Sequence, residues 1–193
     1  LKKILQETIN NYELSLRSPD SLKRTSVNLF EAILVKEKES QKYRPSLYDF
    51  LAHRAIDFFM NDESGLTKPS YKFELDNADF FLPADKFSGF RIETKDTLSL
   101  KYHAIILLQD LLKIHLADIE PTALIDADLK RMDFVYRFSV NEKKDSMYYD
   151  VLTRLETKYK AIPFSSEISF LIARFHRLQA ANYKPLIDET TKY

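Results

Sequence analysis

The chain has 193 residues and a mass of 22.7 kDa, enough to bury about 70% of its unfolded surface around one core. Lysine plus arginine equals aspartate plus glutamate at 29 each, so no net field favours nucleic acid or an anionic membrane. The absence of cysteine excludes disulfides, thiolate metal sites and cysteine nucleophiles, and two glycines are too few for a Rossmann or P-loop phosphate cradle.

Residues 1–16 read as a helix with Ile4, Leu5, Ile9, Tyr12 and Leu16 on its apolar side. Ser18-Pro19-Asp20 then supplies a cap, a first-turn proline and an acid at the positive helix end. The pattern predicts a second helix running to about Glu39 that buries Leu22, Leu29, Phe30, Ile33 and Leu34. Pro45 and Ser46 open the third, over 46–61. Leu47, Phe50, Leu51, Ala55, Phe58 and Phe59 recur at intervals of three and four. Ser46 and Asp49 have capping-box spacing. This segment reads as the central helix that its neighbours cover.

The periodicity breaks over 62–95. Gly65 and polar residues lead to Pro69, after which Tyr71, Phe73 and Leu75 alternate with Lys72 and Glu74. Phe80, Phe81, Phe87 and Phe90 follow. This stretch is expected to be an irregular aromatic insertion with short strands, and one that long is commonly functional or packs over a core. Tyr71, Phe73, Phe80, Phe81, Phe87 and Phe90 form the candidate interaction surface. Lys72, Lys86 and Arg91 suggest base stacking, but Asp76, Asp79 and Asp85 cancel their charge, which argues against nucleic acid.

Helices resume near Asp96. Leu100, Ala104, Leu107, Leu108 and Leu111 form a stripe that Ile105, Ile106, Leu112 and Ile114 widen almost all round, as in an interior helix. Pro121 opens the next, with Ile125, Leu129, Met132 and Tyr136 on one side. Residues 141–145 make a turn. Tyr148, Val151, Leu152, Leu155 and Tyr159 mark another helix, broken at Pro163. Ser165 can cap the last, which carries Ile168, Leu171, Ile172, Phe175 and Leu178 and ends at Pro185. The longest apolar run, Ala104 to Leu108, is far too short to cross a membrane, and no signal peptide is visible. The expected fold is mainly all-α: one domain over 1–193, helical over 1–61 and 96–184, built of antiparallel helical hairpins in a repeat-like α-α array. A tetratricopeptide repeat of about 34 residues does not align.

Little of this carries chemistry. His53 and Asp57 share one helix flank and could orient a base, but no second pair with metal-ligand spacing accompanies them. His103 and His115 are separated by about 18 Å along one helix, too far for a shared small site, and read as histidines satisfied inside the core or at its rim. His176 reads as solvent-facing. Asp126 and Asp128 point to different helix sides and are no acid–base pair. No G-x-S-x-G elbow surrounds any serine. The residues point to no catalytic group, no metal and no cofactor.

The segment YRPSLYDFLAHRAIDFF, Tyr43 to Phe59, resembles a stretch found in large bacterial alpha-2-macroglobulin family proteins of the Bacteroidetes type. FFLPADKF and SLKYHAIILLQDLL extend the likeness. The resemblance implies a helical region preceding the macroglobulin β-sandwich domains, within a large exported or membrane-anchored protein of the periplasm or cell surface. Its partners would be other domains of that protein and, through the parent, trapped proteases. The family's thioester needs a cysteine, which this chain lacks, so no functional residue carries over. The implied role is a non-catalytic scaffold or interaction domain that does not itself insert into a membrane. The alternatives are a free-standing helical protein-binding module and, third, an enzyme using His53 and Asp57.

Overall fold

A computed structural model describes residues 2–35, 37, 39–61 and 69–181. The expected start of the insertion with Gly65, and the end of the last helix with the tail from Leu186, lie outside the described residues. The fold is all-α: α1 (Lys2–Ser15), α2 (Pro19–Arg24), α3 (Ser40–Tyr43), α4 (Leu47–Phe59), α5 (Ala84–Phe87), α6 (Leu100–His115), α7 (Thr122–Phe138), α8 (Lys144–Tyr159) and α9 (Ser165–Ala181). Short 3₁₀ turns lie at Val27–Phe30 and Ala78–Phe81. The chain divides into two compact units, Leu1–Lys144 and Asp145–Tyr193.

In the first unit α4, α6 and α7 form the core. Asp49 near the start of α4 meets His115 at the end of α6, while Phe59 at the end of α4 packs on His103 near the start of α6. The two helices are therefore antiparallel. Lys101 near the start of α6 lies 4.3 Å from the centre of the Phe138 ring at the end of α7, so that pair is antiparallel too. Tyr12 of α1 stacks on Phe58 and meets Phe59 edge-on, which covers the far end of α4.

Helix α6 packs against both α4 and α7, and the most buried helix is α7 rather than α4. Eleven of its residues are buried against seven on α4. Five charges between Asp126 and Asp133 disguise this in the sequence, because two of them, Asp128 and Arg131, neutralise each other inside the core. On α4 the buried face is turned from the expected stripe: Tyr48, Asp49, Ala52, His53 and Ile56 are inside with Ala55 and Phe59 of that stripe, while Leu47, Phe50, Leu51 and Phe58 are half-buried. Counting apolar residues misplaced the face because it contains two polar ones.

The long second helix does not form. Helix α2 stops at Arg24, and Ser18 makes no side-chain cap. The backbone turns extended at Thr25, whose carbonyl accepts a 2.8 Å hydrogen bond from the Leu47 N–H. Ser26 bridges to Ser46 and its hydroxyl caps the following 3₁₀ turn. Tertiary pairing with the start of α4 thus outcompetes a helix whose β-branched Thr25 and Val27 gain little from continuing. Leu29 and Ile33, expected inside, are 76% and 79% exposed.

The insertion is irregular, as its composition suggests, and no strand forms among the described residues. Its period of two is nonetheless real: Phe73 and Leu75 are buried and Lys72 and Glu74 exposed. Leu75 makes an isolated parallel bridge to Ser139, whose hydroxyl donates to the Leu75 carbonyl. In the second unit α8 and α9 form an antiparallel hairpin. Tyr148 packs on Phe175, Gln179 donates to Asp145, and Ser169 donates to Glu156, so partners ascend one helix as they descend the other.

Candidate functional site

Two ionic clusters converge on the first unit's core. The first is built on the capping box of α4. The Ser46 N–H and hydroxyl both donate to Asp49 Oδ2, at 2.8 and 2.6 Å, while Asp49 N–H returns to the Ser46 hydroxyl. This fixes the carboxylate and leaves Oδ1 for His115 Nε2, 2.8 Å away at the C-terminus of α6. His115 Nδ1 contacts Asp118 Oδ2 at 2.7 Å. Asp49 and His115 are both buried, and Asp118 is at the surface.

A ring whose two nitrogens both face carboxylates must donate from both, so His115 is an imidazolium. Burial works against that charge, but the hydrogen bonds from Asp49 and Asp118 outweigh it and raise its pKa above the ordinary histidine range. Burial likewise favours a protonated Asp49, yet the bonds from His115 and Ser46 prevail and its pKa is lowered. The arrangement has the look of a hydrolytic triad without its chemistry. The Ser46 hydroxyl is spent on Asp49, and His115 has no nitrogen left to accept a proton.

The second cluster includes the predicted pair. His53 is buried and Asp57 is exposed, one turn apart on α4, and Lys130 of α7 joins them. Its ammonium pairs with Asp57 and sits 3.4 Å from His53 Nδ1, which must accept. His53 is therefore neutral. Burial, with Arg44 and Lys130 adding repulsion, pushes its pKa down to about 2. His53 Nε2 faces Asp126 Oδ2 at 3.9 Å, and Asp126 takes a 3.0 Å bond from Arg44. Burial raises the Asp126 pKa against the opposing pull of Arg44.

Arg44 and Asp126 lie at one side of a cleft of about 260 Å³, walled by Val27, Leu34, Tyr43 and Phe50. Val35, at its rim, is fully exposed. Together with Leu29 and Ile33, Val35 puts three large apolar side chains into solvent within seven residues.

The six aromatics expected as an interaction surface are placed differently. Phe73, Phe80, Phe81 and Phe87 are buried, Phe90 is half-buried, and Tyr71 alone of the six is open to solvent. Polar anchors explain the inward turn. Gln109 of α6 donates to the carbonyls of Phe87 and Phe90, at 2.6 and 2.7 Å. Arg131 of α7 donates to those of Phe80 and Leu82, pairs with Asp128, and lies 4.3 Å from the centre of the Phe87 ring. The described part of the insertion is core cover held by the half-buried Gln109 and the buried Arg131.

His103 bonds the Thr97 carbonyl and faces Glu13, and His176 is exposed against Tyr149. Asp126 and Asp128 serve different partners, Arg44 and Arg131. Sequence reasoning missed the joining of Asp49 to His115 and the part played by Arg44, Asp126 and Lys130. The one local signal was the spacing of His115 and Asp118 across a helix end; Asp49 read only as a cap. Among the described residues, no group of three or more His, Asp or Glu side chains could hold a metal ion, and no helix is long and apolar enough to cross a membrane. Comparison with protein-family models, curated proteins and solved structures finds no match to the chain.

Proposed function

We propose that the chain is a non-catalytic helical scaffold and protein-interaction domain of a larger cell-envelope protein. One contrast carries the reading. Among the described residues no buried side-chain nitrogen or oxygen lacks a hydrogen-bond partner, while Leu29, Ile33 and Val35 stand exposed and Val35 rims the cleft that Arg44 and Asp126 border. The titratable groups of the core are committed to one another, while Leu29, Ile33 and Val35 offer apolar surface. Exposed apolar clusters rimmed by polar residues are a feature of protein-binding faces. The macroglobulin likeness of 43–59 supplies the kind of parent, in which protease trapping would be the whole protein's activity and neighbouring domains the partners.

Cross-linking of the intact parent, read by mass spectrometry, tests this. Lys23 and Lys42 flank the apolar segment in sequence. Cross-links from them to segments outside this chain, lost on joint substitution of Leu29→Asp and Val35→Asp, are the expected result. A parent in which this region cross-links only within the chain overturns the reading. The coding sequence on either side decides what the parent is. Downstream β-rich domains support the macroglobulin relationship, whereas a start codon directly before Leu1 and a stop after Tyr193 leave a free-standing binding module.

A further inference from the structure

We propose that His115 is a proton-dependent latch: its imidazolium ties the capped start of α4 to the α6–α7 connection, and loss of the proton releases the connection at Asp118. The inference rests on hydrogen-bond capacity and does not depend on the functional reading above. Asp49 Oδ1 and Asp118 Oδ2 both need a donor from one ring. A neutral imidazole carries one N–H, so deprotonation must cost one of the two bonds.

The geometry decides which bond goes. Asp49 is buried and its other oxygen is held by two donors from Ser46, so it cannot turn to water. Leaving its Oδ1 without a donor inside the core costs more than leaving a surface carboxylate to be hydrated. Asp118 has the second option. The remaining N–H therefore stays on Nε2, facing Asp49, and Nδ1 loses its hold on Asp118. Beyond that bond the connection retains the backbone contacts Leu116 N–H to Leu112 and Asp118 N–H to His115, together with the Thr122 hydroxyl on Glu120. Ile119, at its tip, is fully exposed and adds no packing.

Other charges near the ring come from each element around it. From α4 these are Asp49 and the neutral His53; from α7, Asp126 with its Arg44 partner; on α6 itself, Asp110 faces Lys113 and Lys23 instead. The contacts at bonding distance are the two carboxylates, which favour the cation, and the C-terminal end of α6 favours it further.

Histidine-selective ¹⁵N NMR of the full chain tests the latch, because ring shifts distinguish imidazolium from each neutral tautomer. The expected result is an imidazolium at pH 6 that becomes the Nε2–H tautomer on titration at a midpoint above 6.5, with the backbone amides of 117–120 moving at that same midpoint. Asp118→Asn replaces a surface residue and preserves the α4 cap. It should lower the midpoint by about one to three units, the range for losing one adjacent opposite charge. A neutral ring at pH 6, connection amides that ignore the ring's titration, or an unmoved midpoint in Asp118→Asn would each overturn the proposal.

Discussion

The core of the first unit holds two buried cations that solve the same problem differently. Arg131 is a permanent charge, fully enclosed, and it satisfies its N–H groups with one carboxylate, two carbonyls and the face of Phe87. His115 is a charge that exists only while both its carboxylates demand it. The first ties an irregular segment to α7 at every accessible pH. The second keeps α4 tied to α6 through Asp49 and holds the α6–α7 connection at Asp118 only conditionally. A fold that needs an aromatic insertion held in place uses guanidinium, which does not titrate. The buried imidazolium adjoins Asp118, a residue that water can reach.

The largest expected effect breaks the permanent side. Arg131→Ala strands Asp128 in the core and frees the carbonyls of Phe80 and Leu82, which should cost about 3–5 kcal/mol in denaturant unfolding. The double substitution Arg131→Met with Asp128→Leu should recover much of that loss, since a well-packed apolar pair can replace a buried ion pair. A single variant as stable as the parent chain would refute the assigned role.

A smaller effect concerns pH and sets His53 against His115. The folded pKa of His53 is depressed, so its contribution is complete above the unfolded value near 6.5 and is lost as pH falls towards about 2. The folded pKa of His115 is raised, so its contribution is complete below 6.5 and is lost as pH climbs through the raised value. Asp49, with its pKa lowered, gives way only as pH drops below the carboxylate range. His53→Gln should therefore flatten the acid limb alone, sparing the folding constant a loss of roughly tenfold between pH 6.5 and 5. Equal acid sensitivity in variant and parent would reject the buried neutral assignment. The smallest effect sharpens the conditional side: Ser46→Ala removes a helix cap and one donor to Asp49, at about 1 kcal/mol. Thermal unfolding reads it, and an unchanged midpoint would mean that the cap is dispensable.

The legible and illegible parts of the sequence differ by the range of the forces involved. Period and punctuation located α1, α4, α6, α7, α8 and α9, because an amphipathic helix writes its face into three- and four-residue spacings. The Ser46–Asp49 box and the buried set Tyr148, Val151, Leu152, Leu155 and Tyr159 were readable for the same reason. The alternation of Phe73 and Leu75 was readable as a period of two, although no sheet uses it. Where the apolar pattern alone was trusted, over 25–39, it failed. There Leu47 competes for the Thr25 carbonyl from twenty-two residues away, and no local count includes that bond.

The site was the least legible part. Asp49 and His115 are 66 residues apart, and Lys130 and His53 are 77 apart. Helix type, capping chemistry and the balance of charge follow from the residues themselves, since each depends on neighbours within about one turn. Which polar residues would be buried, which acid would meet which base, and whether the aromatic insertion would face solvent depended on how α4, α6 and α7 packed. Only in that packed state do the partners come within hydrogen-bond reach, where burial removes the water that would otherwise satisfy them.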